Sequence, residues 1–556
     1  MTTLTLTPFH PSQVTIGGEL RHRMELTANK MLHGIDIERI FVRHFRERKA
    51  EPEVPGGFAG YGMFLDAIVK AAAHGIGGEE LRAFKSHRLA ELIDTQTPDG
   101  AITIFDGKIG FWDNHEQAYL IQALVLDHRH FGATSSLAAA IRLGDFLIAR
   151  QSPLQLGLET AMLMLAQESG EPRFLDYCRT ALCIDAPLDD YDRKLTVNGI
   201  QHVYTYVARI LAQLQHAQLA ERPAPDEAHG LFRRVLSDFS SVSGTCSGGF
   251  HWGEIWDRTQ TGLGRWGETC VSAYLLRCTA KMLEFDALPQ LGDLYERIMY
   301  NALFGSQSED GAKQRYFTPF NEPGVWYEHD TYCCPNNFRR IMFELPDAIY
   351  FRTPDGLAVN LYHESELRDG ELHVTQRTRY PEDGTVELTV ETPQPLTLHL
   401  RIPQWCPVAE LTVADETLQA NAGSWHDVDL PAGATRLILR LAMPIQLIAG
   451  TMAQLGRVAL RRGPLVYALS STRNGLSQLQ TDLVAIRNCQ PPRLLAADGT
   501  IRLSCVIDNQ THPVRDLTFT RFCDETRDRT FFPLVEDHGA MPVVTDELYH
   551  PASLPL

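Results

Sequence analysis

The chain has 556 residues, of which 44% are hydrophobic and 22% charged, with a formal net charge of -18. That length allows roughly two to four domains and a core large enough to need no staples. The acidic balance argues against nucleic acid or an anionic membrane surface as the main partner, and no run approaches the ~18 apolar residues of a membrane span.

The first twenty residues, MTTLTLTPFHPSQVTIGGEL, lack a basic start followed by an apolar core. No secretion signal is read there, and the cytoplasm is the default location. Eleven cysteines are scattered along the chain. They are expected to stay reduced, most of them as small buried hydrophobes. From about residue 20 to residue 350 the apolar residues recur at helical spacing, and we count about ten to twelve helices from this pattern. Trp112, Asp113 and His115 stand at the start of one of them, in FWDNHEQAYL. Aromatic faces with a few polar groups suit sugar recognition, although a lone histidine at a helix start is more often a structural cap. Leu137, Ile141 and Ile148, with Gly144 between them, outline the next helix, and Val271, Leu275, Cys278, Met282 and Phe285 a later one. Successive helical hairpins suggest an all-α toroid or bundle, but the pattern does not show closure. After Pro346 the period changes to two. GLAVNLYHESEL, GELHVTQRTRY, GTVELTVET and LTLHLRIPQW alternate apolar and polar residues between Gly, Pro and Asp turns, as antiparallel sandwich strands do. GRVALRRGPLVYALS continues in the same manner.

Three stretches carry chemistry. In GTCSGGFHWGEIWDR, Glu254 is flanked by Trp252 and Trp256. A carboxyl beside indoles is desolvated, which favours its neutral form and suits a general acid; an exposed loop carboxylate between packing tryptophans is the bland alternative. Cys246 in the same stretch lacks ligand spacing and reads as core. In RWGETCVSAYLLRC, Thr269 is expected to cap a helix beginning near Cys270, with Glu268 at its start. In TYCCPNNFRR, Pro335 suits a first helical turn. Phe338, Met342 and Leu345 continue the helical spacing until Pro346, so Cys333 and Cys334 fall at a helix N-terminus. The positive end of a helix favours thiolates. Together the two stretches offer three sulfurs and a carboxylate, a donor set that suits tetrahedral zinc. Packed, inert thiols remain the other reading of the spacing.

WGETC, CCPNN and the upstream HWGE together resemble the β-L-arabinofuranosidase family, glycoside hydrolase family 127, whose hallmark is Cys-Cys-Pro-Pro-Asn. TQTPDGAI and GRVALRRGPLVYAL also look like segments of that family, so the resemblance covers most of the chain. It implies an (α/α)6 barrel followed by β-sandwich (jelly-roll-like) domains: a catalytic barrel over 1-350, a sandwich over 351-445 and a second β-rich domain over 446-556. It implies a zinc ion held by Glu268, Cys270, Cys333 and Cys334. Cys333 would double as the nucleophile, and Glu254 would be the general acid/base of a retaining glycosidase.

The sugar-binding positions depart from the family. His115 matches one of its histidines, but Gln155 and Asn198 stand where the family has two others, with His202 four residues beyond. Asn336 replaces the second proline of the hallmark. These changes point away from β-L-arabinofuranose itself, toward a related furanoside or another modified sugar, and we assign His115, Gln155, Asn198, His202 and Trp252 to substrate binding. The expected partner is a small glycoside or oligosaccharide, with no nucleic acid and no membrane, and a homodimer stays open. Two other functions compete: a metal-independent sugar epimerase or lyase using His115, His202 or Tyr204, and a non-catalytic sugar-binding protein with structural zinc.

Overall fold

The computed structural model describes residues 4–49, 60–106, 112–152, 157–186, 203–246, 259–414, 416–495, 498–507 and 514–548. Within them, helices come in pairs joined by connections of two to six residues: Tyr61–Ala73 with Gly78–Asp94, Asp113–Phe131 with Thr134–Ala149, Leu158–Ser169 with Pro172–Thr180, Val203–Leu219 with Asp226–Arg234, and Thr269–Asp286 with Pro289–Arg297. Such short links force the two helices of a pair to run antiparallel, so the first members all run the same way. These first members pack side by side in order, followed by Cys333–Met342, which packs back against Tyr61–Ala73 and closes the ring. The expected (α/α)6 barrel is therefore built from six inner helices among the described residues.

An inner helix is covered on all sides, so it buries residues all round, polar ones included. Twelve of the thirteen residues of Tyr61–Ala73 are buried. Close approach is needed as well: a Cβ on Gly62 would lie 2.5 Å from the backbone nitrogen of Leu120. The expected helix around Leu137 and Ile141 is present as Thr134–Ala149, but its deepest face differs from the one outlined by the large side chains. Ser136, Ala139, Ala140, Leu143, Gly144 and Leu147 are buried, whereas Leu137, Ile141 and Ile148 pack only at the core margin. Small residues share this side with Leu143 and Leu147 because the neighbours come close in places. A Cβ on Gly144 would meet Leu165 at 2.6 Å and Phe174 at 2.7 Å.

The alternating segments form two facing sheets. One carries Tyr350–Thr353, Gly356–Val359, Leu396–Ile402 and Ser424–Leu430; the other runs from Glu416–Ala420 through Ala409–Val413, Gly433–Leu441, Thr385–Thr392 and Leu372–Thr378 to Ser365–Asp369. Period two is visible in Thr385–Thr392, where Val386, Leu388 and Val390 are fully buried. The first residues of the chain also belong here. Thr7–Pro8 pairs with Tyr350–Thr353, and Val14–Ile16 with Ser365–Asp369, both antiparallel. A third sheet gathers strands between Ile445 and Val544. None of the eleven cysteines is paired in a disulfide.

Candidate metal and catalytic site

Because the inner helices run in one direction, their N-termini gather at one end of the barrel. The candidate residues sit in those first turns. Glu268 is the N-cap of Thr269–Asp286, and Cys270 is its second residue. Cys333 and Cys334 are the first two residues of Cys333–Met342. One ligand atom from each of the four lies within 4.8 Å of all the others, and all four residues are buried. The sulfur of Cys334 is 3.2 Å from that of Cys270 and 3.6 Å from Glu268 Oε1. Cys333 retains 8% exposure while Cys270 and Cys334 retain none, so Cys333 forms the open edge of the cluster. Thr269 does not cap its helix as expected. Its hydroxyl instead donates to the carbonyl of Arg315 at 2.8 Å, fastening the helix start to the strand Gln314–Arg315.

The backbone before the cysteine pair is set by a turn. Tyr332 has φ 53°, a backbone conformation that costs a side-chain-bearing residue about 1–3 kcal/mol. Asn336, at the position of the family's second proline, holds this turn. Its Nδ2 donates to the carbonyls of Tyr332 at 2.9 Å and Asp330 at 3.1 Å. Arg339 donates to Asn336 Oδ1 at 2.7 Å and forms an ion pair with Asp330. The asparagine thus replaces a ring that would merely restrict the helix start with hydrogen bonds that tie down the loop.

Burial and sulfur neighbours push the thiols of Cys270 and Cys334 well above their ordinary range. Three sulfurs and a carboxylate at this separation fit a thiophilic divalent cation, since tetrahedral zinc with bonds of about 2.0–2.3 Å places its donors about 3.3–3.8 Å apart. The convergence of two helix N-termini adds positive potential. Among the described residues this is the one group of three or more such side chains that could hold a metal ion.

An aromatic wall leads away from the cluster. The hydroxyl of Tyr316 lies 3.4 Å from the sulfur of Cys333. Tyr204, buried at the start of Val203–Leu219, is held in its neutral form by burial first and then by the nearby Cys333 and Cys270. Its ring lies 5.8 Å from that of Tyr274, whose hydroxyl meets that of Tyr119. His115 packs edge-on against Tyr119 at 4.9 Å and against Trp112 at 5.5 Å. As expected, it sits in the first turn of Asp113–Phe131, and it is buried. Asp113 beside it is pushed up to about 6 by burial, against the opposing pull of Thr103 and Arg150. Glu116 on the same turn accepts from the backbone N–H groups of Gly60 and Gly62 at 2.6 and 2.7 Å, closing the N-terminus of the neighbouring helix. Glu254, Trp252, Gln155, Asn198 and His202 lie outside the described residues. Tyr119, Tyr274 and Tyr316 follow no motif in the sequence, and nothing in their local pattern marks them for the site.

Residues 38–347 match the model of the GH127 β-L-arabinofuranosidase catalytic domain. The chain belongs to glycoside hydrolase family 127. It is therefore a glycosidase, with a carbohydrate substrate. Residues 356–441 match the middle domain of family 127, which is the pair of facing sheets. A non-reducing end β-L-arabinofuranosidase of Bifidobacterium longum subsp. longum is 26% identical, covering 71% of this chain and 72% of that protein. Among solved structures, a family 127 β-L-arabinofuranosidase from Geobacillus stearothermophilus T6 superposes with a TM-score of 0.77 at 19% identity, covering 94% of this chain and all of that one. A second family 127 β-arabinofuranosidase gives 0.82 at 16% identity over 97% and 99% of the two chains. These two likenesses establish the common fold. Among the described residues no helix is long and apolar enough to cross a membrane.

Proposed function

We propose that this family 127 glycosidase is a zinc-dependent retaining enzyme in which Cys333 is the nucleophile and Glu254 the general acid/base. The supporting observation is the convergence of Glu268, Cys270, Cys333 and Cys334 at two helix N-termini, with Cys333 at the open edge. Bound zinc supplies the positive charge that keeps these buried sulfurs deprotonated at neutral pH. The thiolate of Cys333 attacks the anomeric carbon while the bond to the leaving oxygen breaks and the Glu254 carboxyl gives that oxygen its proton. The Glu254 carboxylate then takes a proton from water, whose oxygen attacks the same carbon as the carbon–sulfur bond breaks and the thiolate returns. Two displacements retain the anomeric configuration. The Tyr316 hydroxyl orients the attacking sulfur.

The substrate we infer is an L-arabinofuranoside-like or related modified-sugar glycoside. The sugar is held by the aromatic wall at His115 and by Gln155, Asn198, His202 and Trp252. The relatives' printed activity supports the furanoside class, and the replaced histidines argue for a changed sugar. We assign catalysis to 1–350, a sandwich to 351–445 and a second β domain to 446–556, with the strands Thr7–Pro8 and Val14–Ile16 bracing the sandwich. Free thiols throughout suit a reducing cytoplasm. Elemental analysis of freshly purified, reduced protein tests the site. About one zinc per chain is expected, weakened or lost in Cys333→Ser and Cys334→Ser, with turnover on a panel of nitrophenyl furanosides abolished by Glu254→Gln. A well-folded wild type that stays metal-free after zinc loading would overturn the mechanism.

A further inference from the structure

Beneath the thiol cluster lies a buried layer of charge. Arg277 stands two helical turns after Cys270, and Arg340 two turns after Cys333, so each faces the same side as its cysteine. Arg277 grips Glu344 with Nε at 2.7 Å and Nη2 at 2.9 Å. Arg340 meets Asp66 at 3.0 Å and Gln122 at 2.9 Å. Lys70 bridges Asp66 at 2.5 Å and Glu344 at 2.6 Å. The two guanidinium groups also lie over the rings of Tyr274 and Tyr119, at 4.8 and 4.7 Å. Three cations face two carboxylates, which leaves one positive charge in excess in a layer where only Lys70 and Glu344 keep as much as 15% side-chain exposure. Burial disfavours both carboxylates, but Arg340 and Lys70 outweigh it at Asp66, and Arg277 and Lys70 at Glu344, so both stay ionised.

Asn337 joins this layer to the sulfurs. One turn after Cys333 and fully buried, it accepts at Oδ1 from Arg277 Nη1 at 3.2 Å and from Arg340 Nη1 at 3.2 Å. Its Nδ2 donates to the sulfur of Cys270 at 3.3 Å. The amide cannot be turned round, because its NH2 group would then face two guanidinium donors. The N–H groups therefore point at Cys270.

We propose that Asn337 is a positioning residue for the metal centre: oriented by Arg277 and Arg340, its amide stabilises Cys270 as a thiolate ligand and carries the excess positive charge of the layer to the sulfurs. This rests on the metal-site reading above. A hydrogen-bond donor on a ligand sulfur draws off part of its negative charge, which matters where three thiolates and a carboxylate surround one divalent ion. Glu268, Cys270 and the cysteine pair would otherwise crowd four formal negative charges around two positive ones.

Asn337→Asp separates this role from a structural one. The aspartate keeps an oxygen between the two arginines and replaces the donor by an acceptor that faces the sulfur. Zinc affinity, measured by chelator competition, is expected to fall by about 10–100-fold. In cobalt-loaded protein the sulfur-to-cobalt charge-transfer band is expected to shift, while the melting temperature of the metal-free protein holds or rises. Unchanged affinity together with an unchanged band in Asn337→Asp overturns the proposal. A wild type that binds neither metal overturns the site reading and this inference with it. If the aspartate variant does not fold, Arg277→Lys keeps a cation against Glu344 and removes one of the two contacts to Oδ1. A smaller loss of zinc affinity is expected there, and an unchanged affinity counts against the proposal.

Discussion

Two groups of buried ionisable side chains in this molecule end differently. Where the helix Pro289–Arg297 meets the strand Leu396–Ile402, Arg401 pairs with Asp293 and, at 2.9 Å, with Glu296, all three fully or almost fully buried. Two further hydrogen bonds are made locally: Arg401 Nε donates to the carbonyl of Asn360 at 2.6 Å, and the backbone N–H of Gln404 donates to Asp293 at 2.7 Å. The surplus carboxylate is relieved by a proton, since burial, against the pull of Arg401, pushes Asp293 up to about 7. The cluster of Glu268, Cys270, Cys333 and Cys334 brings together four groups that can each become anions, with no cationic side chain among the four. A buried charge requires compensation. The first group finds it inside the chain and joins the barrel to the sandwich, whereas the second is a group that could hold a metal ion.

The comparison can be broken most strongly at the cluster. Cys333→Ala is expected to lower kcat by about a thousandfold or more, with little change in the urea midpoint of the metal-free protein, as read from initial rates and denaturation curves. Loss of stability equal to the loss of activity would place the cluster with the structural groups. Arg401→Met is expected to do the opposite. It leaves two buried carboxylates without their partner, at a cost of about 3–5 kcal/mol, while zinc content per folded chain stays as in the wild type.

Smaller effects sharpen the contrast. Glu19 ties the helix Gly18–Leu26 to the third sheet through Arg521 at 2.9 Å, with Arg23 on its other side. Burial opposes its ionisation, yet the two arginines hold its carboxyl down at about 2. Because the folded value lies below the unfolded one, this stabilisation is present above about pH 4.5 and is lost as pH falls toward 2. Its side chain is 31% exposed, so solvent screens the pair, and Glu19→Gln is expected to cost about 1–2 kcal/mol at pH 7. A last effect, read as a slope rather than a loss, concerns Asp293. Folded, it holds its proton to about pH 7; unfolded, it releases it near pH 4. The folded state therefore binds more protons between those values, and the contribution of this group to stability falls as pH rises from 4 to 7. Asp293→Asn should flatten that slope in urea titrations run across the interval.

Much of the site was legible because its signals are local. Glu268 and Cys270 lie two residues apart at a helix start, and Cys333 and Cys334 are adjacent at another, so chain geometry alone exposes them. The failures were also physical. Thr269 has the residue type of a cap, but a carbonyl on a neighbouring strand takes its hydroxyl. On Thr134–Ala149 the spacing of Leu137, Ile141 and Ile148 outlines the helix, but its buried face combines Leu143 and Leu147 with small residues, because a Cβ at Gly144 would meet Leu165 and Phe174. Asn337, Arg277 and Arg340 follow the cysteines at four and seven residues, polar positions inside buried helices. Their spacing announces a shared face but not which groups meet on it.

What the sequence determined by itself is the period change near residue 350, the two helix starts that bear thiols, and the family that such residues mark. These depend on side-chain type and on repeats of 3.6 and 2 residues, which are properties of the local chain. The closing of the ring between Tyr61–Ala73 and Cys333–Met342, the return of residues 7–16 to the sandwich, and the meeting of Glu268 and Cys270 with Cys333 and Cys334 were decided only in three dimensions. Each is a contact between segments far apart in the chain, selected because it completes the burial of surfaces that neither segment can cover alone.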